Sequence, residues 1–532
     1  MRKRLVLILP LVLGAALLPA NPAPPAQASA AQALGQASPQ APAAQVVPAP
    51  AEQVVPALAE QVAKLTGPGS INDTEARFQL KATDLGILWD NGAGEILTAF
   101  GDSYGSGWTG PGGGVGDPAT LDWRCNLLFR SKDRNLADGM TLDSAAEDRP
   151  GHAKQFLDCK KIDRDEHTVI PTAGIAVGRR QYVHYMSVNR WGPAGSWFTN
   201  HAGFAYSDDN GETWTKDPKA IWQNTTAWDD NFQMAALVQS ADYVYMIGTP
   251  NGRFGNAHLA RVPEKQLLSK NSWRYWDGKT WSNRASAAVP ITIGPVSEVS
   301  VQWNAHLGKW LMMYLDEHRA SVVLRSAASL TGPWSGQQVV ARSTEFPGLY
   351  GTYMHPWSSG TELYFTMSQW DPYNVYLMRT KLTDDGLKTN LVSDPGFEAQ
   401  TTATISPPWQ LNGTGGVDKT NLAHTGKNNA YLRGSLGAHQ LQQNVAVRPH
   451  HRYRLSAWIR TAENNTETSL GIRTLRGKPL AQKTGGAHPQ YTQTTLEFTT
   501  GRESLIQLHA GFYTHNQDTW LQLDDVTLEE LP

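Results

Sequence analysis

An all-β architecture, a five-bladed β-propeller followed by a β-sandwich of jelly-roll type, is what the sequence predicts. Three observations lead there. Between residues 71 and 388, short apolar and aromatic runs such as "GILWDN", "EILTAFG", "AGFAYSDD" and "ELYFTMSQ" recur between clusters of Gly, Asp, Asn and Pro. They group at roughly 45 to 65 residues, the size of a four-stranded propeller blade, near 82–131, 167–222, 229–284, 295–340 and 350–385. No amphipathic helical pattern of useful length interrupts them. The third observation is "SDDNGETW", Ser207 to Trp214, an S-x-D-x-G-x-T-W turn known as an Asp-box. In it Asp209 bonds nearby amides, Gly211 permits a tight bend and Trp214 packs into the blade. This motif is specific for local structure and weak for function.

The 532 residues suffice for two substantial cores. The 19 Trp, 17 Tyr and 48 Gly suit an all-β chain with many tight turns, and also a sugar-binding surface. Buried core Trp is the plainer reading for most of the 19. A net charge of −2 does not favour a nucleic-acid partner.

Residues 1–30 read as a signal peptide: a basic start ("MRKR"), a short apolar run ("LVLILPLVLGAALL") and a small-residue cleavage site near Ala28 or Ala30. The run is short for a membrane span and carries no cysteine for a lipid anchor. An exported, extracellular protein with no membrane anchor after processing is expected. Residues 31–70 then read as an Ala/Pro-rich tether. Export gives meaning to the two cysteines, Cys125 and Cys159. An oxidising compartment permits a disulfide between them, two free buried thiols being the alternative.

Residues 389–532, from "LVSDPGFEAQ" to "TWLQLDDVTLEELP", contain alternating strands such as "HRYRLSAWIRT" and "TQTTLEFTT". This unit resembles the jelly-roll carbohydrate-binding modules fused to polysaccharide-degrading enzymes. The resemblance implies a structural calcium near the domain's two termini, at Glu398 and Asp525, because calcium requires several hard oxygen ligands. Ordinary surface charge is the other reading of both.

A propeller gathers its inner strands around a central depression, where polar residues at strand ends converge. Asp84 and Asp102, in "DLGILWDNGAGEILTAFGDSYG", each border an apolar strand and have a flexible glycine nearby. Burial raises a carboxyl pKa and a neighbouring cation lowers it, so such a pair can supply both an acid and a base or nucleophile. Further polar residues stand at comparable edges: Arg124 and Asn126, Glu166 and His167, Asn231 and Gln233, Asn251 and Arg253, Glu298 and Gln302, and His355. Trp108, Tyr350 and Trp357 are available to stack on sugar faces. Zinc-protease, serine-hydrolase and phosphate-loop signatures are missing. The Gly-rich "GPGGGVGD" reads instead as a loop over the pocket.

Taken together, "DLGILWDNGAGEILTAFGDSYG", "WRCNLLFRS", "HTVIPTAGI", "AYSDDNGETW", "SEVSVQWNAHLGKWLMMY" and "YGTYMHPW" resemble glycoside hydrolase family 183, the endo-D-arabinanases, long labelled only as a domain of unknown function. The resemblance spans roughly residues 75–385. It implies hydrolysis of internal α-D-arabinofuranosyl bonds in mycobacterial-type arabinogalactan and lipoarabinomannan, with no cofactor, by a monomer. The aspartates of "DLG" and "FGD" fall on Asp84 and Asp102, the implied catalytic pair, with Glu298 in reserve. Where the family pattern implies "RSN" this chain has "RCN", so Cys125 replaces a serine. A sialidase using Arg124, Arg253 and Arg325, an L-arabinanase, and a wall-polysaccharide lectin remain as alternatives.

Overall fold

The computed structural model describes residues 52–358, 360–388 and 390–531. The expected signal peptide, and the tether up to residue 51, lie outside these residues. Five antiparallel sheets follow one another as blades. The first contains Ala82–Asp90, Ile96–Tyr104, Leu127–Ser131 and Ser144–Ala145. The second contains Thr168–Val177, Arg180–Trp191, Trp197–Ser207 and Thr215–Gln223. The third begins with Met234–Ser240, Tyr243–Thr249 and Ala257–Pro263, and the fourth with Val299–Asn304, Lys309–Asp316 and Ser321–Ala327. The fifth is built on Leu349–Met354, Glu362–Gln369 and Asn374–Lys388. The leading strand of each blade touches that of the next, and the fifth touches the first, so the ring closes.

The closure corrects the expected tether. Residues 52–70 are not a linker throughout: Glu52–Pro56 and Glu60–Lys64 are strands paired antiparallel with Asn374–Lys388, with Glu60 opposite Arg379. Proline-rich composition suggests a tether, but Val54 and Leu65 are buried in the propeller core. Arg379 forms an ion pair with Glu60, and Ala59 N–H donates to the Val340 carbonyl at 2.7 Å. Deleting residues 52–66 should therefore lower stability by about 3–5 kcal/mol through these two side chains alone. An unchanged denaturant midpoint would show that the ring does not depend on them.

The Asp-box behaves as expected. Asp209 Oδ1 accepts Ser207 Oγ at 2.7 Å and Thr213 N–H at 2.9 Å, while Trp214 Nε1 donates to the Gly211 carbonyl at 3.1 Å. These bonds are internal to the turn, as befits a structural device.

The C-terminal unit has its own core, including Phe397, Trp409, Tyr453, Leu508 and Leu523. Its two long strands, Asn429–Ala446 and Leu505–Leu531, pair from Ala430–Leu523 to Ala446–Leu505. One part of Leu505–Leu531 also pairs with Thr468–Thr474, and the other with Arg452–Thr461. The long strands thereby fold one eight-stranded sheet upon itself into the expected sandwich. It is docked on the fourth blade, where Gly336 N–H donates to the Asn390 carbonyl at 2.6 Å. Among the described residues, no helix is long and apolar enough to cross a membrane.

Candidate active site

A cavity of about 1080 Å³ opens at one end of the ring, and every blade contributes to its wall. Its floor is set by a defect in the first hairpin. Thr83 pairs with Ser103, but Leu85 pairs with Phe100, so the second strand bulges at Gly101 and Asp102, opposite Asp84. Bulges re-aim side chains in this manner. Here the backbone turns left-handed at Leu85 (φ 70°) and Gly86 (φ 83°). Such a conformation strains leucine and persists only where neighbours hold it. Ser368 Oγ accepts Leu85 N–H at 2.8 Å, and Thr366 Oγ1 donates to the Gly86 carbonyl at 2.7 Å. Thr83 and Ser103 hydroxyls meet at 2.7 Å and pin the strands beside both aspartates.

Both carboxyls face the cavity, in different surroundings. Burial pushes Asp84 up to about 7, the charge of Asp102 adds to the rise, and the phenols of Tyr373 and Tyr350 partly oppose it. Tyr350 Oη donates to Asp84 Oδ2 at 3.0 Å. Asp84 Oδ1 is buried and accepts no hydrogen bond. Asp102 is also raised by burial, to about 6, against the opposing effects of Thr168, Trp123 and Lys161. Thr168 Oγ1 donates to its Oδ1 at 2.7 Å and Trp123 Nε1 to the same oxygen at 2.9 Å. Two formed bonds and a cation favour the charged form of Asp102. The carboxyls are thus separated, Asp84 holding its proton to higher pH.

Burial also pushes the phenols of Tyr104, Tyr350, Tyr353 and Tyr373 upward, so all four stay neutral among the acidic groups of the cavity. Arg253 donates to both oxygens of Glu298, the shortest contact being 3.0 Å, and to Glu317 at 3.0 Å. Burial opposes its charge, but Glu298 and Glu317 outweigh that effect and hold the guanidinium protonated. Arg253 lies 4.6 Å from the centre of the Tyr350 ring and so braces the phenol that binds Asp84. Burial lowers the His167 pKa and favours a neutral ring, which packs 5.4 Å from Trp123.

Cys125 and Cys159 form a disulfide. It ties the loop bearing Lys161 to the strand bearing Trp123, and Lys161 donates to the Trp123 carbonyl. Closing a segment of sequence separation 34 restricts the unfolded chain by about 3–4 kcal/mol. Reduction should lower the denaturant midpoint accordingly, and a midpoint indifferent to reductant would contradict this.

Several expected site residues serve the framework instead. Arg124 donates to the carbonyls of Ala153 and Gln79 and pairs with Asp122 at 3.2 Å. Asn126 bonds the backbone of Phe156, Leu157 and Val169. Gln233 is occupied by Thr199, Trp222 and Asp230, and Gln302 by the Ser358 carbonyl. His355 is buried outside the cavity, where burial lowers its pKa to about 4, and Asn231 does not line the cavity either. Trp108 donates to the Gly112 carbonyl and Trp357 to Asp90, so neither lines the wall. The common reason is that a polar group at a blade edge can satisfy backbone of the next blade as readily as face the centre. The arginine triad of the sialidase alternative does not assemble: Arg253 lines the cavity, whereas Arg325 is bound to Tyr314 and the Ser335 carbonyl.

Glu398 and Asp525 both lie beside Gly396, together with Asp524. Glu398 accepts the N–H groups of Lys427 and Asn428, and Asp525 accepts from His424 and Thr425. Among the described residues, no group of three or more His, Cys, Asp or Glu is placed to hold a metal.

A family model described as a domain of unknown function, DUF4185, matches residues 69–379. Notoamide biosynthesis cluster protein J of Aspergillus sp. (strain MF297-2) is 32% identical over 321 residues, covering 57% of this chain and 83% of that protein. Protein J' of Aspergillus versicolor is 30% identical over 319 residues, covering 57% and 84%. Among solved structures, an exo-β-1,3-galactanase of Phanerochaete chrysosporium covers 90% of this chain and 100% of its own, with TM-score 0.37 and 12% identity. A family 43 arabinoxylan arabinofuranohydrolase of Bacillus subtilis covers 88% and 99%, with TM-score 0.35 and 11% identity.

Proposed function

The chain belongs to the DUF4185 family, and we propose that it is a secreted glycoside hydrolase cleaving internal α-D-arabinofuranosyl bonds of arabinogalactan and lipoarabinomannan. One observation carries the reading: two buried carboxyls meet at a bulge on the floor of a large cavity, with pKa values raised to about 7 and about 6. Glycosidic cleavage passes through an oxocarbenium-like state and needs one carboxyl to protonate the leaving oxygen and one carboxylate to activate water or attack C1. Asp84, the higher of the two and bonded to a neutral phenol, is the acid. Asp102, with two donors on Oδ1 and Lys161 nearby, is the carboxylate. The family resemblance of the quoted motifs supports the D-arabinan assignment.

Incubation with purified mycobacterial arabinogalactan should release D-arabino-oligosaccharides, with L-arabinan and sialosides left intact. Release from L-arabinan instead would transfer the site to another furanosidase. Tight binding with no products over long incubation would leave a lectin. The dependence of kcat/KM on pH should be bell-shaped, falling below about 6 as Asp102 takes a proton and above about 7 as Asp84 loses one. A rate still rising at pH 9 would remove Asp84 as the acid.

A further inference from the structure

The ring order places the two aspartates between two exposed tryptophans. The first blade carries Asp84 and Asp102, and its leading strand touches the leading strands of the second and fifth blades. The second blade supplies Trp191 and the fifth supplies Trp370; both line the cavity, yet they are 44% and 53% exposed. Large rings this exposed at a cavity mouth mark a contact surface for a ligand.

Each tryptophan ends a row of rings that starts at one carboxyl. From Asp102 the row runs through Trp123, which donates to it, to His167 at 5.4 Å and on to Trp191 at 6.4 Å. On the other side Tyr373 stands by Asp84, and Trp370 packs edge-on against it at 5.5 Å. The Gly-rich loop makes room for that second row. A Cβ at Gly112 would lie 2.7 Å from the Trp370 ring, and one at Gly113 would lie 3.0 Å from the Tyr373 ring.

We infer that Trp191 and Trp370 are paired stacking platforms that lay a glycan chain across the mouth, with sugar rings on both sides of the bond to be cut. The carbon-bound hydrogens of a sugar face suit an indole surface, and the positions on either side of the aspartates require an internal stretch of polymer rather than a chain end. This rests on the hydrolase reading above and names the residues that would make it act within chains.

The test uses Asp84→Asn as a silent parent and measures glycan binding by calorimetry. The probes are a D-arabinofuranosyl disaccharide, a long D-arabino-oligosaccharide from arabinogalactan, and L-arabinan. Trp191→Ala and Trp370→Ala should each weaken the long oligosaccharide about tenfold and leave the disaccharide unchanged. Gly112→Ala, which displaces the Trp370 ring, should copy Trp370→Ala. In the active protein the same changes should raise KM for polymer with little change in kcat. Equal affinity of parent and tryptophan variants for the long probe overturns the platforms. If the parent binds only L-arabinan, and the variants weaken that, the D-arabinan reading falls while the platforms stand. No binding of any probe by the parent overturns both.

Discussion

Asp84→Asn and Asp102→Asn are each expected to lower arabinan hydrolysis by roughly a thousandfold or more while the fold persists. The two losses should differ in kind. Asparagine at 84 cannot donate a proton to the leaving oxygen, so a substrate with an activated leaving group, needing no protonation, should recover much of the rate. Asparagine at 102 removes the group that activates water or attacks C1, and leaving-group activation should not help. It also removes the charge that raises Asp84, so any residual activity should lose its alkaline limb at lower pH. Circular dichroism and denaturation of the variants separate these effects from misfolding. Near-normal hydrolysis by either folded variant would take that residue out of the catalytic pair.

The second large effect is on stability. Both carboxyls have folded pKa values raised above the ordinary 3.8, to about 7 and about 6. A raised group contributes stability that is complete below its unfolded pKa and is lost as pH climbs through the folded value. A tenfold gain in proton affinity on folding corresponds to about 1.4 kcal/mol, so at pH 8 the charged pair costs about 4 kcal/mol at Asp84 and about 3 at Asp102. Asparagine does not titrate. The double variant should therefore match the parent near pH 4 and exceed it by on the order of 5 kcal/mol at pH 8, since the two contributions are not additive between neighbouring charges. Denaturant midpoints across that range provide the check. A gap that shrinks with rising pH would show that the aspartates are stabilised as anions, contrary to their surroundings.

The strand pattern places all five blades close to their observed positions, because the blade strands are short apolar runs set off by Gly, Asp, Asn and Pro clusters at a regular spacing. The aspartates are legible for a related reason. Asp84 directly follows "AT" with Gly86 two positions on, and Asp102 follows "TAFG", so each is an acidic residue in an apolar strand with a glycine close by. The other polar candidates are not, since nothing local distinguishes Arg253, which faces the cavity, from Arg124, which bonds Ala153 and Gln79 carbonyls. Tyr353, Tyr373 and Trp370 carry no local mark of their role because they approach Asp84 only through the closure of the fifth blade on the first. Residues 52–70 look like a tether by composition, their pairing partners lying more than 300 positions away.

That last pairing has a consequence for how the molecule is made. The strands that seal the ring are among the first described residues to be synthesised, and the strand they seal against, Asn374–Lys388, is among the last of the propeller. The earliest segment must stay unpartnered until nearly the whole propeller has emerged, since contacts so distant along the chain form late. Closure of the ring is therefore late within the propeller by construction: a nascent chain halted before residue 374 has no way to latch.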